Sequence, residues 1–141
     1  MSKLSVLLID DDDDDRFLFA EAVKKIDPSI ECETSDDCRQ ILDNLEQRGQ
    51  AMPNVIFLDL NMPEIHGFDC LMVLKNDRLW KTIPVIIYST SKNNVDMERA
   101  EQLGASGYLK KPGDFSILYQ KLKSIITLDF SKPLPRNILW A

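Results

Sequence analysis

Five short apolar runs, separated by segments of helical periodicity, constrain this chain more than any other feature. The runs are SVLLID (5–10), SIECET (29–34), NVIFLD (54–59), PVIIYS (84–89) and SGYLK (106–110). The first, third and fourth are nearly continuous in Val, Ile, Leu and Phe, as strands covered on both faces are. The second alternates Ile30, Cys32 and Thr34 with Glu31 and Glu33, the pattern of an edge strand with one wet face. Between the first two runs Phe19, Ala22, Val23 and Ile26 recur at helical spacing, and Pro28 follows. Further helices are expected from SDDCRQIL, with Ser35 or Asp36 as N-cap and Gly49 beyond the end, and from Phe68 to Asn76. Two more are expected, one from Asn94 to Leu103 with Gly104 after it. The other begins near Asp114 and carries Leu118, Leu122, Ile125 and Ile126. Strand and helix alternate throughout, which specifies an α/β sheet with right-handed crossovers and helices on both faces.

At 141 residues the chain has the length of one domain, here residues 1–126. Periodicity then fails, and LDFSKPLPRNILWA reads as an extended C-terminal tail over 127–141. That tail exposes Ile138, Leu139 and Trp140 and is expected to dock on its own domain or on a second copy, a homodimer. A net charge of −6 argues against nucleic-acid binding, which needs a basic footprint. No run reaches the roughly 18 apolar residues of a membrane span, and the N-terminus lacks a signal-peptide pattern, so a cytoplasmic protein is expected. Cys32, Cys38 and Cys70 are odd in number and form no CxxC pair. They read as reduced side chains in a reducing compartment.

Ligands of an open parallel sheet bind beyond the carboxyl ends of its strands. The first strand delivers Asp10 and Asp11 there, the third Asp59, the fourth Ser89 and then Thr90, the fifth Lys110, Lys111 and Pro112. Two like charges about 4 Å apart cost about 4 kcal/mol at an effective dielectric near 20. A hard divalent cation removes that cost, and Mg2+ suits a site of one or two carboxylates plus water, a carbonyl and phosphate oxygens. With a nearby lysine, such a site would stabilise a phosphoryl group in transfer to a carboxylate. Six aspartates run from Asp10 to Asp15. Asp12 to Asp15 read as loop and helix-start residues, favoured by the positive end of the helix dipole. An EF-hand fits poorly, because Asp15 stands where the loop needs glycine and a strand precedes it. A haloacid-dehalogenase-type phosphatase also places Asp-x-Asp after a first strand. Asp14 replaces its usual Thr or Val, and its late acidic pair is missing.

Taken together, VLLIDDD, VIFLDLNMPEIHG, PVIIYSTS and GASGYLKKP resemble the receiver domains of two-component response regulators over about residues 4–126. Within that family the chain is similar to single-domain receivers that partner phytochrome-type histidine kinases. The resemblance implies a flavodoxin-like, doubly wound, five-stranded parallel sheet of order 2-1-3-4-5 with five helices. It implies Asp59 as phosphoacceptor, and a Mg2+ site from Asp11, Asp10, Asp59 and the backbone carbonyl of Asn61. Ser89 matches the switch hydroxyl, Tyr108 the aromatic that moves with it, Lys111 the lysine that pairs with the acceptor, and a cis peptide is implied between Lys111 and Pro112. A stand-alone regulator is then expected, not an enzyme acting on other substrates. It takes phosphoryl from a histidine kinase and signals by binding a downstream protein through the fourth helix, fifth strand and fifth helix. An interaction module that is never phosphorylated is the rival reading. The sequence departs from the family at Thr90, which narrows access to the phosphate, at His66 where Asp is common, and at Gly113 where an aromatic is common.

Overall fold

The structure is a computed structural model, and it describes residues 4–48, 52–61, 67–91 and 93–140. Gly49 and His66, both singled out above, lie outside the described residues. The strands are β1 (Ser5–Ile9), β2 (Glu31–Ser35), β3 (Val55–Leu58), β4 (Val85–Ser89) and β5 (Gly107–Lys110). The helices are α1 (Asp13–Ile26), α2 (Cys38–Arg48), α3 (Gly67–Asn76), α4 (Asn94–Gln102), α5 (Phe115–Ile126) and α6 (Arg136–Leu139). All strand pairs are parallel, and the order is β2-β1-β3-β4-β5, as the resemblance implies. β1, β3 and β4 lie between neighbours, and helices cover both faces of the sheet, so their apolar residues are buried on either side.

Alternation along each strand sends side chains to two separate cores. Val6, Leu8, Val55, Phe57, Ile86 and Tyr88 meet Phe19, Ala22 and Val23 of α1 and Leu118, Leu122, Ile125 and Ile126 of α5. Leu7, Ile9, Ile56, Leu58, Val85 and Ile87 meet α2, α3 and Ala100 of α4 on the other face. Caps set where the helices start. Asp12, Asn93 and Asp114 accept backbone hydrogen bonds at the starts of α1, α4 and α5. At α2 the capping carboxylate belongs to Asp37, which accepts from the Gln40 N–H at 3.0 Å, and not to Ser35 or Asp36. Ser35 instead hydrogen-bonds locally with Asp37. Gly104 follows α4 with φ +101°, the left-handed turn that glycine adopts without penalty.

Two expectations fail here. Cys38 and Cys70 form a disulfide, so they are not reduced side chains, and only Cys32 is free. The pairing is long-range: α2 and α3 pack on the same face and bring together residues 32 apart in sequence, which no CxxC count reveals. The cysteines therefore lend no support to a reducing compartment. The tail is not extended throughout either. Residues 136–139 form α6, whose Leu139 is 2 % exposed. Leu139 lies over Gly107, where an added Cβ would stand 2.8 Å from the Leu139 Cβ. Arg136 pairs with Glu101 of α4 and stacks on the Trp140 ring. Pro133 and Pro135 precede this helix, with Pro135 as its N-cap, so they do not interrupt it, and Gly107 leaves room for Leu139 against β5. The tail's argument for a second copy is reduced to Ile138, which stays exposed. Among the described residues, no helix is long and apolar enough to cross a membrane.

Candidate functional site

The strand ends deliver what their sequence promises. Asp10 is fully buried, Asp59 is 3 % exposed and Ser89 is fully buried; among the described residues these are the buried polar side chains. Asp11 is exposed at the rim, and carboxylate oxygens of Asp10, Asp11 and Asp59 lie within 4.8 Å of one another. They sit under an open cleft of about 640 Å3 lined also by Asp15, Asn61, Thr90 and Lys111. Asp10 is held rigidly: its Oδ1 accepts from the Asp12 N–H at 3.0 Å, and its carbonyl accepts from Arg16 Nη1 at 2.7 Å. Its Oδ2 is buried and lies 2.8 Å from Lys111 Nζ, a close ion pair. A fully buried carboxylate beside two further carboxylates, with one ammonium to balance them, is a donor set that fits a small hard cation.

Asp59 Oδ1 accepts from the Asn61 N–H at 3.2 Å, and its Oδ2 lies 3.6 Å from Lys111 Nζ. Burial first, and then the charge of Asp10, push the Asp59 carboxyl up to about 6, against the opposing pull of Lys111. Burial works against the Lys111 charge, but the carboxylates of Asp10 and Asp15 outweigh it and raise its pKa. The cluster thus has more buried negative charge than its one ammonium balances.

A family model described as the response regulator receiver domain matches residues 6–123. The chain belongs to this family. The receiver is 30% identical over 124 residues to the response regulator Rcp1 of Synechocystis sp., covering 85% of this chain and 84% of that one. Among solved structures it is similar to the phosphorylated cyanobacterial phytochrome response regulator RcpA, with 30% identity, a TM-score of 0.79, and coverage of 88% and 91% of the two chains. The Mn2+-bound form of Rcp1 is also similar, at 28% identity and a TM-score of 0.75, covering 86% and 91%. The fit of a cation to this site rests on the receiver's own carboxylates.

The remaining residues of the receiver divide into those brought to the cleft and those that are not. Ser89 Oγ accepts weakly from Asn61 Nδ2 at 3.5 Å and from the Ser91 N–H at 3.3 Å. Thr90 stands at the exposed rim. Tyr108 is 2 % exposed and already turned inward, its hydroxyl donating to the Ser91 carbonyl at 2.5 Å. The Lys111–Pro112 bond is trans, contrary to the cis bond that the resemblance implies. Trans is the preferred isomer before proline, and Lys111 reaches both acidic strand ends with it. Lys110 is exposed and takes no part.

Two residues at the site were missed. Gly67 opens α3 directly on the acceptor strand's end: its N–H donates to the Leu60 carbonyl, and a Cβ there would lie 2.3 Å from the Asp59 carbonyl oxygen. Only glycine permits that approach. The glycine ending the MPEIHG stretch was the available signal. Asp15 is the other. Its carboxylate lies 2.8 Å from Lys111 Nζ, whereas sequence reasoning left it among helix-start charges.

Proposed function

We propose that this receiver accepts a phosphoryl group from the phosphohistidine of a histidine kinase onto Asp59, in a Mg2+-dependent reaction, and signals by phosphorylation-dependent binding of a downstream protein. The observation that carries this reading is the burial of Asp59 beside two carboxylates and one ammonium under an open cleft. A carboxylate oxygen of Asp59 attacks phosphorus as the bond from phosphorus to the donor imidazole nitrogen breaks. That nitrogen keeps the electron pair and takes up a proton, and the new bond is an acyl phosphate. Lys111, 3.6 Å from Asp59 Oδ2, pairs with a phosphoryl oxygen, and Ser89 donates its hydroxyl to another, with Thr90 bounding the cleft. Asp10, Asp11, Asp59 and the Asn61 carbonyl would hold Mg2+, which when bound neutralises charge on the transferred group. The Mn2+-bound state of Rcp1 and the phosphorylated state of RcpA support a divalent cation and a phosphoryl group in relatives.

Ser89 and Tyr108 lie on adjacent strands and meet through Ser91. Movement of the Ser89 hydroxyl toward a phosphate would release the Ser91 N–H and bias the α4–β5–α5 face, a shift between two existing states. Loss of phosphoryl by hydrolysis resets it. Acetyl phosphate with Mg2+, followed by intact mass, tests the proposal. Wild type should gain one phosphoryl mass, and Asp59→Asn none. No gain in wild type, or an undiminished gain in Asp59→Asn, would overturn the acceptor assignment.

A further inference from the structure

Lys111 is the single ammonium among the buried carboxylates, and its position is unequal. Nζ lies 2.8 Å from Asp10 Oδ2 and 2.8 Å from Asp15 Oδ2, but 3.6 Å from Asp59 Oδ2. The Asp15 contact is a hydrogen bond across 96 residues of sequence, with the Lys111 side chain 8% and the Asp15 side chain 30% exposed. Tyr88 closes the far side, its ring centroid 5.4 Å from Nζ. The backbone explains why Asp15 can reach. Its N–H donates to the Asp12 cap at 2.9 Å, which fixes the first turn of α1 and directs this one carboxylate over the strand ends. Asp13 turns away to Arg16, and Asp14 makes no hydrogen bond or ion pair among the described residues.

We propose that Asp15 is a positioning residue for Lys111: in the resting receiver it competes with Asp59 for the ammonium, so that formation of the acyl phosphate draws Lys111 away from Asp15. This rests on Asp59 being the acceptor. Asp15 touches neither the acceptor nor the reacting phosphorus; it acts by setting where the ammonium sits. The Lys111–Asp15 pair stabilises the unphosphorylated state and is lost when a phosphoryl oxygen takes its place. Removing the Asp15 charge therefore favours the phosphorylated state. A partly exposed ion pair is worth up to about 1 kcal/mol, which corresponds to about three- to fivefold in the ratio of phosphorylated to free receiver.

The test compares wild type, Asp15→Asn, Asp15→Glu and Asp14→Asn at one subsaturating acetyl phosphate concentration with Mg2+. Intact mass gives the phosphorylated ratio, and thermal melts confirm that each variant is folded. Asp15→Asn should raise the ratio about three- to fivefold and slow loss of phosphoryl after donor removal. Asp15→Glu, which keeps the charge, should return toward wild type. Asp14→Asn removes the same charge one residue away and should give a smaller rise. A helix-start role alone would move the melting temperature and not this ratio. A ratio in Asp15→Asn that is unchanged, lowered, or matched by Asp14→Asn overturns the Asp15 assignment while wild-type labelling leaves the acceptor reading intact. Absence of labelling in wild type overturns both.

Discussion

Two regions at β5 bury their contents by opposite means. At its carboxyl end, Lys111 lies among Asp10, Asp15 and Asp59, and one ammonium faces two buried carboxylates and a third that is partly exposed. At its start, Gly107 receives Leu139 with no charge inside the contact. The tail contact gains stability from apolar area removed from water. The acidic end loses stability, because buried like charges repel and are only partly compensated. The proposed phosphoryl chemistry accounts for a fold that accepts that loss, whereas the tail contact can be judged on packing alone.

The comparison breaks most readily at the tail. Leu139→Ala removes a buried side chain and should lower unfolding free energy by about 2–4 kcal/mol, read as a shift in urea midpoint. A loss below a few tenths would mean that α6 is not seated on β5 in solution. Asp59→Asn should act with the opposite sign. The folded carboxyl titrates near 6, against 3.8 for an ordinary one. Between these values the folded receiver holds a proton that the unfolded chain has lost, so stability falls as pH rises through the window. Above it the full penalty applies, on the order of 2–3 kcal/mol. In chelator at pH 7.5 the Asn variant should exceed wild type by about that amount, and near pH 3.5 the two should converge. An Asn variant no more stable than wild type at pH 7.5 would show that Lys111 already compensates the cluster.

Smaller changes sharpen the contrast. Gly107→Ala places a methyl group against the Cβ and carbonyl of Leu139 and should cost about 1–2 kcal/mol through displacement of α6, read as a shift in urea midpoint; a variant as stable as wild type would mean that α6 does not lie over Gly107 in solution. At the acidic end, Asp12→Ala removes the α1 cap and should cost about 1 kcal/mol. A null result there would mean that the first turn, and with it Asp15, is held by other contacts.

The strand-end residues were legible because a parallel sheet presents its ligand groups in a fixed place. Once the runs that lead into Asp10, Asp59, Ser89 and Lys111 were recognised as strands, their convergence followed. Asp15 was not legible by that route. Six consecutive aspartates carry the same charge, and only the helical turn decides which one points across to Lys111. The Cys38–Cys70 bond and the α6 contact escaped for the same reason. Each joins residues that local pattern does not relate, through helices packed on one face or a tail folded back over an edge strand.

The sequence by itself determined the alternation of strand and helix, the parallel sheet and the chemistry of its strand ends, because periodicity and apolar runs are local properties. The tertiary structure alone decided how the six aspartates divide: Asp10 buried, Asp11 at the rim, Asp12 a cap, Asp13 and Asp14 solvated, Asp15 turned inward onto Lys111. Charge is written in the sequence, but the distance between charges is set by packing, and electrostatic energy depends on that distance.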